Sequence, residues 1–488
     1  MRTKAGFIFF AALFSLSVMG QQGSQLGYFD FLPQSVVANP AIKPKGSINV
    51  GIPSLSHLGV SHRNNWFKPG EFLISDGNGN ARIDPEQILS QIDESAFTGV
   101  GLDVELLHVG LQLGNGKHYI HLRAAERMQF GIDLPEDIFY LAAYGNAGQH
   151  NFENNTADFS GLAVDAIHFR EYAVGYRYEI NEKIAVGATA KYLYGMERVY
   201  TDESSLQLRT DPNTYDLQSS GTLRFRTAGI RGLVSDEGEE IHSDIGTYLL
   251  GLKNTGFAGD IGVVVKPIEK LQVQVSVNDL GFIHWKSDAA TYQGGDATFA
   301  YRGIDLTDFI FEDGSDFDDA FENHVDSIVN DLEETYDFEA RPGSFKTSVN
   351  GFMRYGASYE IFKVANARGS AWANVIHGVG QSAIPFTYSI GYNQTFKHWL
   401  QAGVHYSNSS LSTGALGAGL SLNAGPFQIF CLAENFKLAS LTKVNLIDDD
   451  GSSTSFVYPS NSDDIRVSLG LNLTFGMKDT PSGRPMTR

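Results

Sequence analysis

Apolar and polar side chains alternate along many stretches of this chain. In LQVQVSVN, the apolar residues Leu271, Val273, Val275 and Val277 are separated by Gln and Ser. Successive side chains of a β-strand point to opposite faces, so this pattern predicts a strand with one apolar and one polar face. The alternation recurs in LLHVGLQLG, AVGYRYEI, KIAVGATAKYLYG, PFTYSIGYNQTF, WLQAGVHYS and LGAGLSLNAG.

The connections between these stretches fall into two length classes. Tight turns occupy residues 114–117, 180–183, 267–270, 395–398 and 423–426. Long polar segments occupy residues 54–103, 134–165, 202–254, 287–343 and 437–464. Bacterial outer-membrane barrels have short periplasmic turns and long outer loops, so the alternation of lengths predicts such a barrel.

The predicted fold is all-β, a transmembrane antiparallel β-barrel of about 14 strands within a range of 12–16. The predicted strands are 46–53, 104–113, 118–133, 168–180, 183–201, 256–266, 270–286, 344–362, 370–380, 384–396, 399–410, 413–424, 427–436 and 465–475. Two further strands could lie within 202–254. A soluble β-sandwich also alternates, but these strands reach the length that crosses a bilayer, and aromatic residues in KYLYG and FIHW rim their apolar face.

The first twenty residues have the pattern of a secretory signal peptide. Arg2 and Lys4 precede an apolar run from Phe7 to Val18, and Gly20 provides a small residue for cleavage before Gln21. The apolar run is shorter than the roughly 20 residues of a spanning helix. We therefore expect residues 1–20 to be removed and both ends of the mature chain to lie in the periplasm.

The last predicted strand carries a second targeting pattern. SLGLNLTF resembles the C-terminal recognition signal of outer-membrane barrels, and its key positions are filled by Ser468, Gly470, Leu473 and Phe475. The resemblance implies recognition by the barrel assembly machinery. Residues 476–488 would then form a periplasmic tail.

Charge excludes one class of partner. The chain has 36 Lys and Arg against 56 Asp and Glu, a net charge of -20, which disfavours nucleic acid because that partner needs a basic surface. Fourteen acidic residues and no Lys or Arg lie within 305–340, where apolar residues recur at helical spacing. This predicts an acidic amphipathic helix in an outer loop. The alternative is a docking surface for another envelope protein.

One short segment resembles a calcium-binding loop. Four oxygen-bearing residues occupy ligand positions in DGNGNARIDPEQ: Asp76, Asn78, Asn80 and Asp84. Ala81 replaces the glycine and Gln87 the bidentate glutamate that such loops need. A helix start explains the same residues better, with Asp84 as the cap and Pro85 at the first position. We therefore expect no cofactor.

No catalytic motif accompanies these strands. His118 and His121 are three residues apart in a strand and so point to opposite faces. Glu179 and Glu360 fall on the polar face and are interpreted as lumen lining. The single cysteine, Cys431, is interpreted as an apolar strand residue. The chain is therefore predicted not to be an enzyme.

Two stretches resemble known barrel families. The segment FDFLPQSVVANPAIKPKGSINVGIP, with Asn39, Pro40 and Ala41, resembles the N-terminal region of long-chain fatty acid transporter-like barrels and of Bacteroidota barrels associated with type 9 secretion and gliding. GFAGDIGVVVKPIEKLQVQVSVNDLGFIHWK resembles an uncharacterised Bacteroidota outer-membrane barrel family. The transporter resemblance implies that residues 21–45 form a hatch inside a barrel of residues 46–475.

These expectations lead to one preferred function and two alternatives. The preferred function is passive transport of a small hydrophobic ligand across the outer-membrane lipid, through a lumen plugged by the hatch. The first alternative is a non-conducting barrel that docks other envelope, secretion or gliding components. The second is a barrel enzyme acting on lipid. A continuous apolar groove in the lumen would favour transport, and a filled lumen would favour the docking role.

Overall fold

The computed structural model describes most of the predicted strands and part of the connections. The described residues are 23–66, 73–75, 81–83, 85–92, 95–145, 152, 156–213, 217–230, 253–294, 299–301, 339–380, 382, 384–410, 412–437, 441–447, 453–459 and 464–477. The predicted signal peptide and the residues Asp76, Asn78, Asn80 and Asp84 lie outside this part of the chain. So do most of the acidic segment 305–340 and the tail beyond residue 477.

Fourteen antiparallel strands form a closed barrel, which confirms the predicted fold class. In chain order they are β1 (Ile48–Gly51 and Leu58–Asn64), β2 (Ser95–Leu113), β3 (His118–Pro135), β4 (Ala163–Asn181), β5 (Ile184–Ser204), β6 (Asn254–Ile268), β7 (Leu271–Trp285), β8 (Phe345–Ser348 and Phe352–Val364), β9 (Ala367–Gly378), β10 (Thr387–Phe396), β11 (Leu400–Ser409), β12 (Ala415–Ala424), β13 (Phe427–Phe436) and β14 (Asp464–Phe475). Each strand pairs with the next. The pairing of β14 with β1, from Ile48 opposite Phe475 to Arg63 opposite Asp464, closes the ring.

The first two strands extend beyond their predicted bounds. Residues 58–64 continue β1, and β2 begins at Ser95, so the predicted loop 54–103 is too long at both ends. A bulge at residues 52–57 interrupts β1, and its ends bond to one residue of β14: the Ile52 amide donates to the Leu471 carbonyl, and the Leu471 amide donates to the Leu55 carbonyl. Six residues separate Gly51 from Leu58, whereas two separate their partners Asn472 and Leu469 on β14, so the chain leaves the ladder here and the alternating pattern stops.

The interval 202–254 contains short strands, but none of them is one of the fourteen strands that close the barrel. Gln207–Thr210 and Leu217–Ser220 join Thr156–Asp158 and Phe299–Tyr301 in a separate four-stranded sheet. Leu223–Ala228 pairs with β5 and with Ala290–Gly294, which in turn pairs with Glu339–Pro342. These strands extend the wall at the end that carries the long connections, here called the loop end. The opposite end is called the turn end.

The remaining described elements lie in the long connections. Two hairpins are formed by Leu73–Ser75 with Ala81–Ile83 and by Leu441–Ile447 with Ser453–Pro459. A short helix spans Pro85–Leu89, where the helix-start pattern predicted one. A second helix, Glu136–Tyr144, lies in a segment predicted as loop and ends at Gly145, whose φ of 68° suits a helix terminus. A 3-10 turn, Gly114–Gly116, joins β2 to β3. Among the described residues, no helix is long and apolar enough to span a membrane.

The outer wall of the barrel is apolar. Side chains such as Val174, Ile261, Ile390, Val404 and Phe427 point away from the lumen and are each more than half exposed. An exposed apolar band around a closed sheet suits lipid, because the sheet satisfies its own backbone hydrogen bonds.

One aromatic residue does not join the predicted outer rim. Leu271 to Val277 alternate as the sequence pattern indicates, but Trp285 is fully buried on the lumen side. The cause is a bulge at Asp279, whose φ is 55° and across which the pairing of β6 with β7 shifts register. A one-residue shift exchanges the two faces of a strand, so Trp285 turns inward while Phe282 faces out.

Candidate functional site

Residues 23–45, here called the plug segment, lie inside the barrel and contact every strand of the wall, β1 through its interruption at residues 52–57. The segment includes a 3-10 turn, Leu26–Tyr28, and a one-turn helix, Ser35–Ala38. In strand order its partners include Ser56, Glu105, Tyr119, Arg177, Gly187, Gly262, Ser276, Arg354, Asn374, Ser389, Gln401, Gly419, Gln428 and Asn472. Six of these partners bond to the backbone of the plug segment through their side chains: Arg177, Ser276, Arg354, Asn374, Gln401 and Gln428.

The start of the plug segment is held by two opposite charges. The Glu434 carboxylate accepts the backbone N–H groups of Ser24 and Gln25 at 2.9 and 2.8 Å. The Arg354 guanidinium donates to the carbonyls of Gly23 and Ser24 at 3.1 and 3.2 Å. Hydrogen bonds with one charged partner are stronger than neutral ones, so this contact fixes the position of the chain in the lumen.

An aromatic pair anchors the next turn. Tyr28 stacks on Trp372 with ring centroids 4.3 Å apart, and its hydroxyl donates to the Ala373 carbonyl at 2.8 Å. Burial raises the pKa of Tyr28 to about 12, so the hydroxyl stays protonated and remains a donor. Phe29, fully buried, lies against Gly403 and Gly419, where any larger residue would occupy its space.

Gln34 crosses the centre of the lumen. Its side-chain N–H groups lie within hydrogen-bonding distance of the Ser56 carbonyl at 3.1 Å, Glu105 at 2.8 Å and Asn472 at 3.0 Å. These partners belong to β1, β2 and β14, the strands on both sides of the closure. One glutamine therefore contacts both ends of the barrel sequence.

The triplet Asn39, Pro40 and Ala41 forms a tight turn against two glycines. The Asn39 side-chain oxygen accepts the Ala41 N–H at 2.9 Å. A Cβ atom at Gly262 would lie 2.0 Å from that oxygen, and one at Gly187 would lie 2.2 Å from the Pro40 carbonyl oxygen. Gly187 and Gly262 are opposite each other on β5 and β6. The close approach of the turn therefore depends on glycine at both wall positions.

An ion pair fastens the plug segment at the turn end. The Asp30 carboxylate lies 3.0 Å from the Arg368 guanidinium and 3.4 Å from the Lys45 ammonium. Burial raises the pKa of Asp30, but the two cations outweigh burial and lower it to about 2. The carboxylate is therefore ionised across the physiological pH range.

Beside the plug segment, the lumen contains a layer of buried ion pairs that sequence reasoning did not single out. Arg123 contacts Asp103, Glu105 and Glu171 at 2.7–2.9 Å. Two further cations extend this network. Arg127 pairs with Glu171 and Asp279, and Lys191 pairs with Asp260 and Asp279. Buried charges persist when each one is paired, as here. Their only sequence signal was the occasional charge on the polar strand faces.

The loop end of the lumen combines a buried apolar cluster with an open cavity of mixed lining. Phe169, Leu193, Ile283, Trp285 and Phe345 are central to a buried cluster. Next to it lies a cavity of about 450 Å³. Its lining is apolar at Phe97, Ile167, Phe169 and Val349, but more than half of the lining residues are polar or charged, among them Arg127, Gln129, Asp165, Arg198 and Lys346.

A second cavity, of about 500 Å³, lies at the turn end. Its basic lining residues are Lys43, Lys45, Arg177, Lys183, Lys266, Lys270 and Arg368, and its acidic ones are Asp30, Glu179, Glu182, Glu269 and Glu360. The prediction that Glu179 and Glu360 line the lumen is therefore confirmed. Near Gly23 lies a smaller cavity of about 40 Å³, large enough for about two or three waters, which is lined by apolar residues such as Leu26 and Leu432 together with charged ones such as Glu105 and Arg123.

The predicted insertion-signal residues divide between the two faces of β14. Ser468 and Gly470 point into the lumen, and Leu473 and Phe475 point outward, with Phe475 pairing with Ile48 where the ring closes. Their recognition by the assembly machinery stays a prediction.

The two histidines occupy opposite faces, as the strand pattern predicted. His121 is buried in the lumen, while His118 stacks on the outward Tyr176. In the described part of the chain, no group of three or more His, Cys, Asp or Glu residues could hold a metal ion.

Solved structures with a similar fold are outer-membrane barrels. They include the Pseudomonas putida toluene transporter TodX (10% identity, 94% of this chain and 95% of that chain covered, TM-score 0.40). The Ralstonia pickettii toluene transporter TbuX (8%, 94% and 97%, TM-score 0.42) and a Pseudomonas aeruginosa FadL homologue (9%, 94% and 100%, TM-score 0.39) are further examples. No curated protein matches the chain. A model of a family of unknown function, DUF5723, matches residues 40–434, and the chain belongs to that family.

Proposed function

We propose that this protein is an outer-membrane barrel that passes a small hydrophobic molecule passively, with the plug segment as its gate. The observation that carries the proposal is the arrangement of the lumen. A cavity at the loop end and a cavity at the turn end lie on either side of the plug segment and the ion-pair layer. In this proposal, displacing the plug segment opens a path between the two cavities along the ion-pair layer. No enzymatic reaction is part of this function.

The attachment of the plug segment is suited to release. Its backbone is held mainly by side-chain hydrogen bonds, among them those of Asn278 to the Val37 carbonyl and Gln428 to the Phe31 carbonyl. Each such bond contributes only about 0.5–1.5 kcal/mol net, because water can replace it. Phe29 and Leu32 also pack against Phe430 and Leu432 of the wall, so opening of the gate would have to uncover this apolar cluster.

The loop-end cavity supports the choice of solute. At about 450 Å³ it falls within the range of small-molecule sites, and Phe97, Ile167, Phe169 and Val349 offer an apolar surface. Charged side chains also line the cavity, namely Arg127, Asp133, Asp165, Arg198, Asp202 and Lys346. This combination fits a small molecule that has an apolar body and a polar group.

The outer-membrane location rests on the wall and the connections. The apolar band faces outward, and the short turns lie at the barrel end opposite the long connections. In this orientation the turn end faces the periplasm and the loop end faces the cell exterior.

A second candidate function is a non-conducting barrel that docks other envelope proteins. The observation that favours it is the filling of the lumen: the plug segment touches every strand, and the ion-pair layer lies beside it. In the described residues, the two larger cavities are not joined by a continuous apolar groove. The experiment below separates the two functions.

The test is a reversible tether between the plug segment and the wall. The hydroxyl oxygens of Ser24 and Ser389 lie 3.0 Å apart, so cysteines at both positions are placed for a disulfide. Both substitutions are made after Cys431→Ser, and uptake of a hydrophobic fluorescent probe is measured in whole cells. The single variants S24C and S389C are the matched controls.

We expect the oxidised double variant to lose uptake and to regain it on reduction, while both single variants behave like the Cys431→Ser parent. Equal uptake by the oxidised and reduced forms would show that the plug segment is not the gate. Uptake by the parent no faster than by cells lacking the barrel would favour the docking function.

A further inference from the structure

The turn-end cavity has a cationic inner wall that the proposed transport function does not use. Arg177 is only 6% exposed; its Nε donates to the Ala41 carbonyl at 3.0 Å and its Nη2 to Glu179 at 3.1 Å. The remaining nitrogen, Nη1, is buried with no hydrogen-bond partner among the described residues. A buried donor without a partner carries a desolvation cost that a bound acceptor would remove.

Two lysines line the same cavity as this guanidinium. Lys43 lies 3.8 Å from Glu179, the carboxylate that also pairs with Arg177, and Lys266 lines the same cavity from β6. Lys43 and Arg177 therefore share the Glu179 carboxylate, and Lys266 adds a further positive charge to a cavity lined by seven basic and five acidic side chains, in a chain whose overall charge is strongly negative. Burial lowers the pKa of Lys43; Glu179 opposes this, and the neighbouring Arg177 and Lys266 lower it further. The lowered pKa of Lys43 is consistent with the positive charges of Arg177 and Lys266 nearby.

We propose that Lys43, Arg177 and Lys266 form a binding site for an oxyanion of the phosphate type. A guanidinium offers planar paired donors that suit phosphate oxygens, and lysines add flexible point charges. The site lies next to the Asn39–Ala41 turn, because Arg177 holds the Ala41 carbonyl with its other face. Because Lys43 belongs to the plug segment, the site exists with the plug segment seated in the barrel, and binding there does not require the segment to move.

The size of the cavity indicates that the oxyanion belongs to a larger molecule. At about 500 Å³ the cavity is of the size of small-molecule sites, far larger than one phosphate ion. It opens at the turn end, where both a soluble phosphate ester and the headgroup of a phospholipid could reach it. The shared chemistry is the phosphate group, and two arms of one experiment distinguish its source.

The first arm titrates sodium phosphate into the detergent-purified full-length barrel by calorimetry, at ionic strength held constant with chloride. The variant Lys266→Gln removes one of the three cations from the site, and Arg177→Gln removes the buried guanidinium. Lys270→Gln is the matched control, because Lys270 lines the same cavity but lies outside the trio. The second arm places the same proteins in nanodiscs of phosphatidylcholine with or without phosphatidylglycerol and counts retained lipids by native mass spectrometry.

We expect Lys266→Gln and Arg177→Gln each to weaken phosphate binding about tenfold, equivalent to roughly 1.4 kcal/mol, and Lys270→Gln to leave it within about twofold. Retention of phosphatidylglycerol by the wild type and its loss in Lys266→Gln, with no heat from free phosphate, would identify a lipid headgroup as the source. The proposal is overturned if neither phosphate nor phosphatidylglycerol binds, or if Lys270→Gln weakens binding as much as Lys266→Gln.

Discussion

At the scale of single residues, the glycine beneath the Asn39 turn should be intolerant of even one methyl group. A Cβ at Gly262 would meet the Asn39 oxygen at 2.0 Å and Pro40 at 3.0 Å, whereas one at Gly259 on the same strand would meet only the Thr189 carbonyl, at 3.5 Å. We expect Gly262→Ala to destabilise the protein by about 1–3 kcal/mol through overpacking. Gly259→Ala should stay within about 0.5 kcal/mol. Urea unfolding in lipid vesicles measures both, and equal effects would show that the plug segment does not require this glycine.

The sequence indicated that the lumen-facing strand residues are small or polar, but it did not indicate which residues they contact. Alternation assigned Gly, Ser, Asn and Gln to the lumen face, and Gln274, Ser276 and Asn278 are buried there. It could not reveal that Gly187 and Gly262 face the same turn, because their pairing depends on the register of β5 against β6. The ion pairs of Arg123 and Lys191 were missed for the same reason, since they join residues on several strands.

At the scale of elements, the last strand should decide assembly. Phe475 is the last residue of β14. Its side chain points away from the lumen and is 44% exposed, opposite Ile48 of β1. A charged side chain on the lipid face costs about 0–4 kcal/mol with depth, and acids lie at the lower end. We therefore expect Phe475→Asp to reduce outer-membrane levels mainly through failed recognition, with little change in the stability of protein that does assemble. Quantitative blotting of membrane fractions tests this, and normal levels would contradict the assigned insertion signal.

The bounds and faces of a strand could be predicted from the sequence where apolar and polar residues alternate regularly, but not where a bulge interrupts the alternation. The bounds of β13, Phe427–Phe436, agree with the prediction, because outward and inward positions alternate from Phe427 to Glu434 and the break at Asn435 lies only one residue before the end. The bulges at residues 52–57 and at Asp279 break that rule, so β1 was predicted too short and Trp285 was assigned to the wrong face. A bulge depends on the partner strand, which a single segment does not specify.

At the scale of the whole molecule, the two ends of the barrel should lie on opposite sides of the outer membrane. Asn181 lies in the tight connection between β4 and β5, and Asn213 lies in the long connection after β5; both are exposed. In a Cys431→Ser background, Asn213→Cys should react with an impermeant maleimide on whole cells, and Asn181→Cys only after lysis. The loop residue Ser315, an alternative site for the label, lies outside the described residues. Labelling of Asn181→Cys alone on intact cells would invert the orientation.

The bond network of Gln34 has a consequence for the order of events during biogenesis. Its partners Ser56, Glu105 and Asn472 are separated from it by 22, 71 and 438 residues. Contacts of such separation form late, because closing a long loop costs entropy before any contact is gained. Gln34 can therefore reach its full set of partners only after β14 has met β1. The N-terminal residues would be synthesised first and seated last, and a barrel that stalls before closure would expose them to periplasmic proteases.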